Sequence, residues 1–345
     1  MKTQERATAR LAWTRRMLDD ASLTLESASA DASFRSYWRA QHAGQSWIVM
    51  DSPPAQEDPA PWLAIGARLA AVGLHVPAVH AQDLQEGFLL IDDLGDRLYL
   101  PALNEDSVDA LYGDAMQALL RMQRDVDVSG MQPYDRAFLQ RELEIMPEWF
   151  LGRHLGLEPT GAQREVLNTA FSVLLASALE QPRGFVHRDF HSRNLLVVDH
   201  HQAAGIGSEL PSPGVIDFQG ALLGPITYDL ASLLRDCYIR WDNERVEAWA
   251  EEHRRGLQTA HLIGADVGRE RFRRWFDLIG LQRHIKVLGI FCRLYYRDGK
   301  HEYLADLPRV SDYVIDVAGR YPELAAFTAL LGRCAGHRDL RVAAA

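Results

Sequence analysis

The run Phe185-Val186-His187-Arg188-Asp189-Phe190-His191-Ser192-Arg193-Asn194-Leu195-Leu196-Val197-Val198-Asp199, followed by Gly214-Val215-Ile216-Asp217-Phe218-Gln219-Gly220, decides how this chain is read. Residues 195–198 and 215–216 are apolar and strand-like, and the polar stretch 199–213 between them reads as the long loop of a hairpin. Such a hairpin brings Asn194 and Asp217 to the same end of its two strands. Asp189, in a tight loop, is placed to accept a hydroxyl proton. Asn194 offers a neutral oxygen and Asp217 a carboxylate, the hard donors that Mg²⁺ combines with phosphate oxygens and water. An oriented hydroxyl with cations on the phosphates is what phosphoryl transfer requires. The expectation is therefore Asp189 as base, Asn194 and Asp217 on the metal, and ATP with Mg²⁺ as cofactors. His187 is expected to pack and hold the loop. Asp229, near the start of a helix, is expected to support the loop or cap that helix.

Upstream of this stretch the chain divides by pattern. Residues 5–20 read as an amphipathic helix with Ala9, Trp13, Met17 and Leu18 on one side. A polar, Ser- and Ala-rich stretch fills 22–36. Tyr37-Trp38-Arg39-Ala40 and Ser46-Trp47-Ile48-Val49-Met50 read as strands about a turn at His42-Ala43-Gly44-Gln45. Trp62, Ile65, Leu69 and Val72 stripe a short helix that Gly73 caps. Gly87-Phe88-Leu89-Leu90-Ile91 is another apolar strand. Beyond Gly95 the pattern becomes helical: Asn104 is the expected N-cap of a long helix, and Thr160-Gly161-Ala162-Gln163 spells a capping box. The fold class is α+β, with a small β-rich lobe over residues 1–95 and a larger, mostly helical lobe over 96–345.

Composition sets limits. The chain has 345 residues, 47% hydrophobic and 24% charged, ordinary for a soluble globular protein able to bury a large core. A net charge of −10 argues against a broad nucleic-acid surface. Cys237, Cys292 and Cys334 are far apart and odd in number, which disfavours a disulfide framework or structural zinc. The N-terminus carries no apolar signal core, and no apolar run approaches the ~18–20 residues that span a bilayer. A cytoplasmic protein without a membrane, nucleic-acid or obligate protein partner is expected.

The order His187-Arg188-Asp189 … Asn194 … Asp217-Phe218 matches the kinase catalytic-loop and metal motifs, and with it the chain resembles the aminoglycoside phosphotransferase-like family. Asp31-Ala32-Ser33-Phe34-Arg35, Val49-Met50-Asp51-Ser52-Pro53-Pro54, Pro147-Glu148-Trp149-Phe150 and Arg297-Asp298-Gly299-Lys300 extend the resemblance. They point to a branch that phosphorylates N-acetylated amino sugars at the anomeric hydroxyl in bacterial cell-wall recycling. The resemblance implies a bilobal kinase fold. It also implies a phosphate-covering loop over 29–35, including Ser33, Phe34 and Arg35, and an adenine hinge over 91–94, including Ile91, Asp92 and Leu94. Two features depart from the family. The phosphate loop lacks its glycines, and the strand at Ile48-Val49-Met50 lacks the ATP-binding lysine, so Arg35 or Arg39 is the expected substitute cation. A lactyl carboxylate on the sugar would want an arginine or a nest of N–H groups; Arg153, Arg193, Arg293 and Arg297 are the candidates, with Trp149 to stack on the ring. Competing readings are a kinase of an aminoglycoside, choline or homoserine, and a nucleotide-binding scaffold without activity.

Overall fold

The computed structural model describes residues 3–30, 34–198 and 212–343. In chain order the elements are α1 (Thr3–Met17), β1 (Leu25–Ala30), β2 (Ser36–His42), β3 (Gln45–Asp51), α2 (Ala60–Ala71), β4 (Val79–Asp83), β5 (Phe88–Asp92), α3 (Tyr99–Ala102) and α4 (Val108–Asp125). There follow α5 (Arg136–Leu143), a π-helix (Met146–His154), α6 (Gly161–Glu180), β6 (Arg183–Val186), β7 (Leu195–Leu196), β8 (Gly214–Val215) and β9 (Leu222–Pro225). Helices α7 (Tyr228–Leu234), α8 (Asn243–Thr259), α9 (Arg269–Asp298), α10 (Leu307–Ala318) and α11 (Ala325–Ala335) complete the chain. The class is α+β, as expected.

Contacts group the chain into two units: Met1–Asp127 with Arg193–Gly220, and Val128–Ser192 with Ala221–Ala345. The change of pattern at residue 95 is a change of secondary structure. Compactness follows a different line, because α3, α4 and the hairpin β7–β8 pack with the first unit.

In the first unit an antiparallel sheet runs in the order β1-β2-β3-β5-β4. Val49 faces Leu90 across the β3–β5 pair, and both enter a core with Trp13 and Phe88. Each such side chain removed from water contributes about 1.5–3 kcal/mol. Trp13 brings α1 onto the sheet, and the buried Asp51 carboxylate fastens it by accepting from Arg6 Nε and Arg10 Nη1, both at 2.7 Å. Met17, expected on the same apolar side, is exposed. The polar stretch 22–36 contains a strand that its composition hid: β1 reads Leu-Glu-Ser-Ala-Ser-Ala and pairs with β2, so backbone pairing supplies what the side chains lack. Helix α2 ends as expected at Gly73, left-handed at φ 73°. There the N–H of Gly73 bonds the Ala70 carbonyl and that of Leu74 the Leu69 carbonyl, a Schellman closure. Asn104, in contrast, is not the cap of α4. Its Oδ1 closes a turn by accepting the N–H groups of Asp106 and Ser107, and the helix starts at Val108.

In the second unit the 30-residue α9 is the axis. It is buried along most of its length and ends at Gly299 in the left-handed region, φ 67°. The Thr160–Gln163 capping box opens α6 with both reciprocal bonds present. Cys237 and Cys292 are buried thiols, and all three cysteines are unbridged.

Candidate active site

The catalytic loop leaves β6 inside the second unit. Phe185 and Val186 are buried and paired with Leu223 and Leu222 of β9, which fixes where the loop starts. Two carboxylates from the α7 region then clamp it. Asp229 accepts the backbone N–H groups of His187 at 2.6 Å and Arg188 at 2.9 Å. Asp236 accepts the N–H of Ser192 at 2.9 Å and its hydroxyl at 2.5 Å. His187 is fully buried and meets the Phe190 ring edge-on. Arg188 takes a left-handed φ of 78°, a strained conformation for an arginine that these bonds hold in place.

That strain aims the Arg188 side chain into a charge cluster. Its Nη2 donates to Glu142 Oε1 at 2.6 Å, and the Lys286 ammonium pairs with the same oxygen at 2.9 Å. The Tyr134 hydroxyl donates to the other Glu142 oxygen. Burial alone would raise the Asp189 pKa, but Lys286, His191, Arg188 and Arg283 outweigh it and hold the carboxylate below its ordinary range. Asp229 goes the other way: burial, reinforced by the Asp189 charge, pushes it up to about 7 against its two N–H donors. The two neighbouring carboxylates are thus shifted in opposite directions, because more cations act on Asp189 than on Asp229.

The remainder of the motif lies in the first unit. Leu195 pairs with Val215 and Leu196 with Gly214, and the Ile216 N–H bonds the Asn194 carbonyl at 3.1 Å. As anticipated, this hairpin sets Asn194 and Asp217 together: Asn194 Nδ2 lies 3.3 Å from Asp217 Oδ2. Gln219 Nε2 donates to Asp217 Oδ1 at 2.7 Å. Asp217 is left-handed, φ 63°, and the neighbouring Phe218 ring is buried against Trp62, centroids 5.1 Å apart, and beside Gly66 of α2. An amide oxygen beside a carboxylate is a donor set that fits Mg²⁺. Among the described residues no cluster of three His, Cys, Asp or Glu side chains exists that could hold a metal by itself. A magnesium ion here would complete its shell with phosphate and water, as it does in nucleotide sites.

The two expected arginines differ in their surroundings. Met50, on the strand that lacks a lysine, is fully buried. Arg39 is engaged by Asp93 at 2.6 and 3.1 Å. Arg35, itself buried, reaches Asp217 Oδ1 at 3.4 Å and pairs through Nε with Glu57 at 3.1 Å. Of the two expected arginines, Arg35 is therefore the one beside the candidate metal ligand. A cavity of about 350 Å³ in the same unit is lined by Ile48, Ile91, Asp92, Leu94, Asn194 and Asp217. Residues 91–94 form part of its wall, with the Asp92 carboxylate turned to the Ala78 N–H at 3.0 Å and to His80 at 2.6 Å. Phe34 is exposed, and Ser33, with residues 31 and 32 of the expected phosphate loop, falls outside the described residues.

The substrate candidates do not gather in one place. Arg193 lines the cavity of the first unit. Trp149 and Arg153 ride on the π-helix, where Trp149 is half-buried and the Arg153 guanidinium lies 5.4 Å from the Tyr296 ring centroid. Arg293 and Arg297 lie on the last turns of α9, and Arg297 forks onto Asp298 at 2.8 and 2.9 Å.

Against this geometry, a family model described as "Phosphotransferase enzyme family" matches residues 24–274. The chain belongs to the phosphotransferase enzyme family. Among curated proteins this phosphotransferase is 46% identical over 309 residues to an N-acetylmuramate/N-acetylglucosamine kinase of Pseudomonas putida, covering 89% of this chain and 87% of the relative. A protein of the same name from Neisseria meningitidis is 38% identical, with 95% and 96% covered. Among solved structures, a thermostable mutant of aminoglycoside phosphotransferase APH(4)-Ia superposes with a TM-score of 0.58 at 17% identity, covering 89% of this chain and 99% of that one. An ethanolamine kinase of Plasmodium vivax gives 0.61 at 8% identity, covering 89% and 87%. At these identities the likeness is one of fold, and it identifies the kinase-like fold expected from the motifs.

Sequence reasoning missed Glu57, Glu142, Asp236, Arg283 and Lys286. Lys286 alone left a trace, as a lysine inside the apolar run His284-Ile285-Lys286-Val287-Leu288 of a buried helix.

Proposed function

We propose that this phosphotransferase moves the γ-phosphoryl group of ATP to the anomeric hydroxyl of N-acetylmuramate or N-acetylglucosamine, giving the sugar 1-phosphate in cell-wall recycling. The observation that carries the reading is the 46% identity, over most of both chains, to a kinase named for those two sugars. The site chemistry supports it. An anomeric hydroxyl is more acidic than an ordinary alcohol, so a carboxylate kept ionised, as Asp189 is, suffices to orient it and take its proton. The sugar oxygen bonds to the γ-phosphorus as the bond to the β-phosphate oxygen breaks, and ADP leaves. Mg²⁺, for which Asn194 and Asp217 are the proposed ligands, would neutralise phosphate charge. Arg35, steadied by Glu57, supplies the fixed cation that Met50 cannot. Ile91, Asp92 and Leu94 hold the adenine, the loop with Ser33 and Phe34 covers the phosphates, and His187 and Asp229 keep the base in position. Residues 1–95 carry the nucleotide lobe and 96–345 the catalytic and sugar-binding lobe. Among the described residues no helix is long and apolar enough to cross a membrane; the proposed compartment is the cytoplasm.

The test is ATP consumption with Mg²⁺ against N-acetylmuramate, N-acetylglucosamine, glucosamine, choline and kanamycin, with phosphorus NMR of the product. A sugar 1-phosphate from the N-acetylated sugars is the expected result. Turnover confined to choline or kanamycin would overturn the substrate assignment, and ATP binding without turnover on any acceptor would overturn the enzyme reading.

A further inference from the structure

Lys286, Gly289, Arg293 and Arg297 recur on α9 at the spacing that puts side chains on one helix face. At the near end of that face, Lys286 pairs with Glu142 and its charge acts on Asp189. At Gly289 the π-helix begins to pass so close that a methyl group on the glycine would lie 2.5 Å from the Ile145 carbonyl. Arg293 follows one turn further on, about 10 Å along the axis from Lys286. That span is of the order of a pyranose ring carrying a lactyl arm.

The arginines of this region differ in what occupies them. Arg297 is forked onto Asp298, and Arg153 is exposed beside the Tyr296 ring. Arg293 is half-buried, its Nε is enclosed without a hydrogen-bond partner, and among the described residues it makes no ion pair. Burial, with Arg297 adding to it, lowers its pKa; Asp298, Glu148 and Glu142 attract it from a distance without bonding it. A partly buried guanidinium with no carboxylate bonded to it has donors to spare, and a planar carboxylate is the ligand whose geometry it matches.

We propose that Arg293 binds the lactyl carboxylate of N-acetylmuramate and so sets the preference between the carboxylated sugar and neutral N-acetylglucosamine. The proposal rests on the amino-sugar reading above. The two sugars differ only in the lactyl group, so one substrate reports on Arg293 and the other serves as the control.

The experiment measures kcat and KM for both sugars with the wild type, Arg293→Ala and Arg293→Lys. Arg293→Ala is expected to raise KM for N-acetylmuramate about 10- to 100-fold, the worth of a hydrogen-bonded charge. Turnover of N-acetylglucosamine should stay within about threefold, which also shows that the variant folds. Arg293→Lys, which keeps the charge but not the fork, should recover part of the loss. Loss of both sugars alike by Arg293→Lys with an unchanged melting temperature, or no loss on either with both variants, overturns the proposal while leaving the amino-sugar reading intact. A wild type that takes only N-acetylglucosamine also overturns it. A wild type that phosphorylates neither sugar overturns the reading beneath it as well.

Discussion

The two stretches of the catalytic motif are held by different physics. Residues 187–192 are held by charge: Asp229 and Asp236 grip the backbone, and Arg188 is drawn to Glu142 alongside Lys286. Residues 193–220 are held mainly by backbone pairing, a two-rung ladder at Leu195–Leu196 and Gly214–Val215, with the Phe218 ring packed on α2. The difference follows from the tasks proposed for each stretch. A base must have its protonation state set by surrounding charges, whereas a pair of metal ligands needs two oxygens at a fixed separation. A hairpin delivers a separation more cheaply than an ion network does, because ladder bonds need no desolvated ions.

The largest effects should split the two stretches. Asp189→Asn is expected to lower kcat by about 10²- to 10⁴-fold while leaving nucleotide affinity intact. Asp217→Ala is expected to remove the Mg²⁺ dependence of ATP binding, read by calorimetry with and without the ion. If both variants lost turnover and affinity in parallel, the division of labour would fail. Next in size, Glu142→Ala leaves Arg188 and Lys286 buried without their shared carboxylate and should cost about 3–5 kcal/mol of stability, measured by urea unfolding. Gln219→Ala, which removes one bond to Asp217, should cost about 1 kcal/mol; equal losses would mean the two stretches are not held differently after all.

The smallest effect is a slope. The folded pKa of Asp229, about 7, lies above the ordinary carboxylate value near 3.9, so between about pH 4 and 7 the folded state binds the extra proton. The stability this group contributes is present below that window and is lost as pH rises through it. Asp189 and Glu142, whose pKa values are lowered, contribute in the opposite sense, losing stability as pH falls below the ordinary carboxylate range. Asp229→Asn should therefore gain on the wild type as pH rises from 4 to 7; a difference that does not change with pH would refute the assignment.

What the sequence revealed tracks this same contrast. The hairpin that sets Asn194 beside Asp217 was legible because a motif of fixed spacing between apolar strands states its own geometry. Asp229 was legible as support, since it sits near the start of a helix just after the motif. The charge network around Asp189 was not legible. Glu142, Arg188 and Lys286 are separated by 46 and 98 residues, and nothing local marks them as partners. Glu57, which engages Arg35, lies in a Pro-rich loop that reads as a connection only. Strand β1 escaped notice because its residues are polar and its stability comes from pairing with β2. The four arginines looked equivalent in sequence; what separates them is which neighbour already holds each one.

At Gly289 two main chains meet where side chains usually stand between helices. The separation of the π-helix from α9 at this point is thus set by backbone, which does not change rotamer. Packing gauged in this way does not depend on the rotamers of neighbouring side chains. Any side chain added at Gly289 would have to push the two elements apart.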